Sequence, residues 1–219
     1  MMVLWERIDA ADEAEPRDKA LEPLREELRE LIERRPNDPD LLYALGYVGY
    51  CHPATQHDPE RVAEVVSALK KTIALEPRYA LAQLYLGHLA FDRRDFPSAA
   101  HWLRSAKEPG SLDAFQDLKA SELLLCCQMF TSGLGASVMA LDSFARESMA
   151  AAAIDAFPMQ LVKTVEYLMP CHPSPAAAIQ VGERVLSLLA DLERVGVFQE
   201  QVKAITRFLA LQKDATEQG

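Results

Sequence analysis

Glycine and asparagine are scarce in this chain. Nine glycines and a single asparagine (Asn37) among 219 residues leave few sites for the tight turns that join β-strands, which argues against a strand-rich fold. Cysteine is scarce as well. Four residues, two of them adjacent at 126 and 127 and none in a Cys-x-x-Cys pair, build no disulfide framework in a chain of this length. The thiols fit a reducing compartment, and the opening MMVLWERIDAADEAEP lacks a basic leader and meets acidic residues within ten positions, so a cytoplasmic protein is expected. A basic stripe with interleaved aromatics is also missing, and with it the electrostatic footprint of a nucleic-acid binder.

The glycine-rich phosphate cradles, the GxSxG elbow, the HExxH helix and the EF-hand loop do not occur. Carboxylates sit mainly at helical intervals beside Arg and Lys, as on a solvated face, so no catalytic residue is nominated and no cofactor is implied. Long apolar runs are absent with one exception: LLLCCQMFTSGLGASVMAL, Leu123 to Leu141, holds nineteen residues without a charge. Its centre, TSGLG, reads as a turn between two buried helices rather than as part of a membrane span. If the run faces outward, it is the candidate surface for a homo-oligomer, because apolar surface needs covering.

What remains is helical. Apolar residues make up 49 % and charged ones 26 %, with much Ala and Leu. The net charge is −10 and unevenly spread: residues 1–40 carry thirteen acidic and seven basic side chains, residues 61–108 five acidic and eight basic. Leu21, Leu24, Leu28, Leu31 and Ile32 recur at helical spacing between Pro16 and Arg35, and Pro36 ends that helix. After NDPD, LLYALGYVGY reads as a second helix. Asp58 as N-cap with Pro59 at the first helical position opens a third, which runs to Glu76 before Pro77. Two short helices broken by DRRD follow, and beyond Ser111 helices are expected near 112–130, 136–152, 156–169, 175–193 and 197–213. The expected architecture is all-α, about ten helices: an acidic N-terminal segment (1–15), helical repeats (16–108), a continuous C-terminal helical stack (109–213) and a tail (214–219).

Leu86-Gly87 in one helix, Asp95-Phe96 at the turn, and Ala99, Leu103 and Ala106 in the next, with Pro77 closing the unit before, resemble the tetratricopeptide repeat. Gln83 and Ala90 depart from it, standing where the family favours large aromatics. The preceding unit carries Leu45-Gly46 and Val65, Leu69 and Thr72 at matching places, but its Leu-Gly pair lies 41 residues before the next against a family spacing of roughly 34. The surplus of seven falls in CHPATQHDP. The resemblance covers about residues 36–108 and implies a right-handed solenoid of helical hairpins. In it Gly87 lets the two helices of a unit approach and Ala99 fills the facing small site.

Tyr43, Tyr47 and Tyr50 recur at i, i+4 and i+7, so three phenols share one side of a helix. Such stripes are commonly core. Under the resemblance, however, they line a concave groove with Leu84, His88 and Phe91 of the next unit, and the function implied is that of a scaffold or adaptor binding a peptide or protein partner there. A clamp for a terminal carboxylate is not expected, since the family's basic clamp positions are aromatic, apolar or acidic here (Asp40, Asp92). Lys70, Lys71, Arg78, Arg93 and Arg94 read as a solvated margin. His101 and Trp102 read as packing against the following helix.

The tripeptide Cys-His-Pro occurs twice, at 51–53 and 171–173. A zinc site would need Cys51, His52 or His57 with Cys171 or His172, at a spacing that matches no zinc signature, and a Cys-His nucleophile pair lacks an orienting third group. The simpler reading is a corner. Proline drives the histidine before it out of helical angles, and Asp58-Pro59 or Ser174-Pro175 starts the next helix. With no metal expected, the first corner, next to Tyr50, would sit at the rim of the groove. Two further functions stay open: a protein that sequesters one partner, such as a toxin-immunity protein, and a helical enzyme with an unrecognised site in a closed polar pocket.

Overall fold

The computed structural model of the chain describes residues 2–149, 158–171 and 174–217, and these form eleven α-helices and no strand. The helices are α1 (Met2–Asp12), α2 (Arg17–Arg34), α3 (Pro39–Cys51), α4 (Pro59–Leu75), α5 (Ala80–Asp92), α6 (Phe96–Lys107) and α7 (Ala114–Ser132), then α8 (Val138–Met149), α9 (Met159–Leu168), α10 (Pro175–Asp191) and α11 (Gln199–Glu217). Local chemistry sets many of the starts. Asp38 and Asp58 each accept two backbone amides of the turn they open, and each is followed by a proline whose missing N–H costs nothing there. Asp113 and Gln116 form a reciprocal box at the start of α7, and Ser174 caps α10.

Helix α1 departs from the expected acidic segment over 1–15. Leu4, Ile8 and Ala11 recur at helical spacing and are buried against Leu21, Leu24 and Leu28 of α2 and Leu41, Ala44 and Val48 of α3. The signal was present in the sequence, but the many acidic residues around it and the lack of a capping residue hid it.

From α1 to α7 each helix packs on its neighbours in sequence, with α1, α3, α5 and α7 also touching the next but one. Two hairpins are closed by glycine. A Cβ on Gly46 would fall 2.5 Å from Leu69 Cδ2, and one on Gly87 would fall 2.7 Å from Leu103 Cγ and 3.3 Å from the Leu103 amide nitrogen, so a side chain at Gly46 would have to shift Leu69 and one at Gly87 would press on the partner backbone as well. Seven more residues separate Gly46 from Leu69 than Gly87 from Leu103, and they lie at the corner after α3, which holds a short 3-10 turn over Pro53–Gln56. Ala99, fully buried, belongs to the same packed layer as Leu103 and Ala106.

Beyond α7 the order changes. Helix α9 packs back on α7, α10 on α8, and α11 on both α9 and α10, around a second core that includes Cys126, Met129, Leu134, Phe144, Leu161 and Val185. The uncharged run bends at Gly133 (φ 84), as its TSGLG centre predicts, and of its large apolar side chains Met139 alone stands exposed. Most of the apolar surface considered for a homo-oligomer is therefore packed within the chain. Among the described residues no helix is long and apolar enough to cross a membrane.

Candidate functional site

The i, i+4, i+7 spacing puts Tyr43, Tyr47 and Tyr50 on the side of α3 that meets α1 and α5. Trp5 of α1 lies 5.5 Å from Tyr43 and 6.0 Å from Tyr47, ring centre to ring centre. Tyr85 of α5 lies 6.2, 5.0 and 5.3 Å from Tyr43, Tyr47 and Tyr50, the last two edge-on. Tyr79 closes on Tyr43 at 5.0 Å, and His88 on Tyr85 at 5.5 Å and Tyr50 at 6.2 Å. Tilted and edge-to-face contacts of this kind let each ring's positive edge meet its neighbour's negative face. The result is a ladder across three helices. Tyr43 is its floor, 4 % exposed over Leu69, Leu86 and Leu89, while Tyr47, Tyr50 and Tyr85 are half-buried.

The other two expected groove residues lie elsewhere. Leu84 is buried with Leu103, Ala120 and Leu123 between α5, α6 and α7, on a different side of its helix from Tyr85. Phe91 joins a second aromatic group, 5.6 Å from Phe96, which stacks on Phe130 at 4.0 Å. Three ladder members were not foreseen: Trp5, Tyr79 and Tyr85. Tyr85, three residues before His88 and so on the same helix face, was legible. Trp5 was not, because its helix was not.

The electrostatics around the ladder are those of a desolvated, mostly negative surface. The Tyr50 hydroxyl donates to Asp92 at 3.1 Å and the Tyr79 hydroxyl to Asp40 at 3.0 Å. Burial raises all five phenols far above their ordinary range, followed by Asp92 at Tyr50, by Asp40 at Tyr79, and by neighbouring phenols or Cys51 at Tyr43, Tyr47 and Tyr85, so they act as neutral hydrogen-bond groups. Burial and then Asp12 push the Cys51 thiol up to about 12, and burial alone carries the Cys127 thiol to about 12. A thiol held protonated is a poor nucleophile. The Asp92 carboxyl is likewise raised by burial. His88 is lowered to about 4, first by burial and then by Lys119, and its Nε2 is sealed from solvent without a hydrogen-bond partner. Asp12 Oδ1 is sealed in the same way.

The Cys-His-Pro corner parts its two reactive side chains. His52 leaves the helix at φ −71, ψ 126, as the following proline requires. Its Nδ1 accepts the Ala54 amide at 3.1 Å, which places the proton on Nε2, 3.4 Å from a Glu22 carboxylate oxygen. Buried at 5 % exposure and turned to α2, His52 does not reach the rim of the ladder, and burial holds its pKa below the ordinary value. Cys51 and the exposed His57 do reach it, lining a hollow beside Tyr50. No group of three His, Cys, Asp or Glu among the described residues is placed to hold a metal; His172 and the Cys171 side chain, named in the zinc reading, lie outside them. Lys70, Lys71, Arg78, Arg93 and Arg94 are exposed. His101 is exposed too, and Trp102 packs back towards Val62, Leu69 and Leu86 rather than onto the following helix.

One carboxylate departs from the solvated pattern. Glu122 is fully buried, its Oε1 accepting the Leu161 amide at the start of α9 (2.9 Å) and its Oε2 the Lys119 ammonium (2.8 Å). Both oxygens are satisfied by the fold, which is the arrangement of a structural pin.

No protein-family model, no curated protein and no solved structure matches this chain.

Proposed function

We propose that this chain is a cytoplasmic scaffold or adaptor of tetratricopeptide type, holding a peptide or protein partner against the aromatic ladder of α1, α3 and α5. The ladder carries the reading. Half-buried tyrosines and a tryptophan from three alternate helices offer large contact area at low entropic cost, with hydroxyls able to bond a peptide backbone. The glycine-closed hairpins support it, because they repeat one packing device at Gly46–Leu69 and Gly87–Leu103. On this reading α1 and α2 are a further hairpin at the head of the array. Affinity capture from a lysate of the source organism tests it. A partner retained by the wild type should be lost with Tyr47→Ala/Tyr85→Ala and kept with an exposed change such as Lys70→Ala. Retention of every partner by the folded double variant would overturn the reading.

A further inference from the structure

Phe91, Phe96, Phe130 and Tyr167 wall a hollow of about 250 Å³ between the turn after α5, the end of α7 and α9. Phe96 and Phe130 stack parallel, and Phe130 meets Tyr167 at 6.2 Å with the rings tilted by 46°. The wall is left open to solvent. Tyr167 is 58 % exposed, although α9 buries Leu161, Val162 and Val165. Two cations stand in the same lining: Lys163, one turn before Tyr167 on the same side of α9, and Arg94, just beyond α5. Both are exposed, and neither side chain makes an ion pair or a hydrogen bond among the described residues. The carboxylates at hand are taken. Asp92, also in the lining, accepts the Tyr50 hydroxyl, and Asp95 accepts the Ser98 amide. Arg94 is moreover held at φ 61, where a side chain costs backbone strain that glycine would avoid.

The size of the hollow limits its occupant. Pockets that take whole small molecules run from roughly 300 to 1,000 Å³, and this smaller one suits a single aromatic side chain. We infer that it receives an aromatic side chain of a peptide partner, whose neighbouring residues carry carboxylates that meet Arg94 and Lys163. The ring packs against Phe130 and Tyr167, where tilted and edge-on contacts are favourable, and the two cations without partners of their own select an acidic flank. Charges beyond about 8 Å are screened at physiological ionic strength, so the rim acts as a positive site although the chain carries −10 in all. The inference goes beyond the ladder: it names a second contact on different residues, built in part from α7 and α9, which lie past the repeat resemblance.

The test is calorimetric titration of the folded chain with an end-blocked peptide that sets one tryptophan among glutamates, with its tryptophan-to-alanine and glutamate-to-lysine forms, and with indole-3-acetate. The glutamate peptide should bind about tenfold more tightly than either changed peptide, the loss expected for one aromatic contact or for two solvent-exposed ion pairs. Amide resonances of Phe130, Lys163 and Tyr167 in the wild type should shift with it. Arg94→Gly/Lys163→Gln should bind about three- to tenfold more weakly while its thermal midpoint stays at or above that of the wild type, because glycine relieves the left-handed backbone, so the loss is not one of folding. Equal binding of the lysine peptide overturns the ionic assignment, equal binding of the alanine peptide the aromatic one, and no binding of the glutamate peptide overturns both. Tighter binding of indole-3-acetate than of the peptide overturns the peptide source and leaves a free aromatic acid as ligand. Tyr47→Ala/Tyr85→Ala changes none of the lining and should bind the glutamate peptide as the wild type does, so failure of the ladder and failure of the hollow are read separately.

Discussion

At Gly87, replacing a hydrogen by a methyl group tests how the hairpins close. The methyl would sit 2.7 Å from Leu103 Cγ and 3.3 Å from a backbone nitrogen, neither of which can swing aside as a side-chain tip can. Alanine gains about 1 kcal/mol in helix propensity over glycine, but the overpacking costs about 1–3 kcal/mol, and α5 must part from α6 to relieve it. Urea unfolding of Gly87→Ala should show net destabilisation. Gly196→Ala, where a Cβ meets nothing within 4 Å, should stay within about 0.5 kcal/mol of wild type. His88 makes a second test at this scale. With a pKa of about 4 in the fold against 6.5 in the open chain, the imidazole is neutral in both states above that upper value and adds no slope. As the pH falls below it, the unfolded chain takes up the proton first, and stability drops by about 3 kcal/mol in all before the folded pKa is passed. Urea midpoints from pH 7 to pH 4 should therefore fall less steeply in His88→Gln. Equal slopes would mean the ring titrates as though in water. His52, depressed in the same direction, contributes to both proteins alike.

Helix ends belong to the scale of the element. Arg94 (φ 61) and Glu193 (φ 55) hold left-handed backbone just beyond α5 and α10, and in each case the next amide reaches back five residues, Asp95 to Ala90 at 2.9 Å and Arg194 to Leu189 at 2.8 Å. Glycine is the residue that adopts this geometry without a Cβ clash. Arg94→Gly and Glu193→Gly should each raise stability by up to about 1 kcal/mol, read as a higher thermal midpoint; a fall at both sites would show that their side chains matter more than the backbone strain. The starts of α3, α4 and α10 were legible beforehand because an aspartate or serine cap and a proline act within one turn. The start of α1 was not, since its burial depends on α2 and α3.

For the whole molecule, the telling contact is the one that brings α9 back onto α7. Glu122 joins residues 39 positions apart through the Leu161 amide, inside a core where an unpaired ammonium or amide would be costly. Glu122→Ala should destabilise by about 3–5 kcal/mol and Glu122→Gln by less, with hydrogen exchange at the Leu161 amide rising selectively in both. Unchanged protection at Leu161 would show that apolar packing alone seats α9. The carboxylate pattern gave no warning of this residue, because Lys119 three positions earlier makes the pair look like any solvated ion pair on a helix.

The all-helical class, most helix starts, the corner at His52 and the two glycine approaches could be read along the chain, because each depends on groups within a turn or on the absence of a side chain. That Trp5 and Tyr85 join the tyrosine stripe, that Leu84 leaves it for the core, and that Asp12 and Asp92 line one hollow followed from the packing of distant segments. The reason is distance along the chain. Caps and helical spacing are settled by near neighbours, whereas Tyr50 and Asp92, 42 residues apart, meet only once the path between them is fixed by packing.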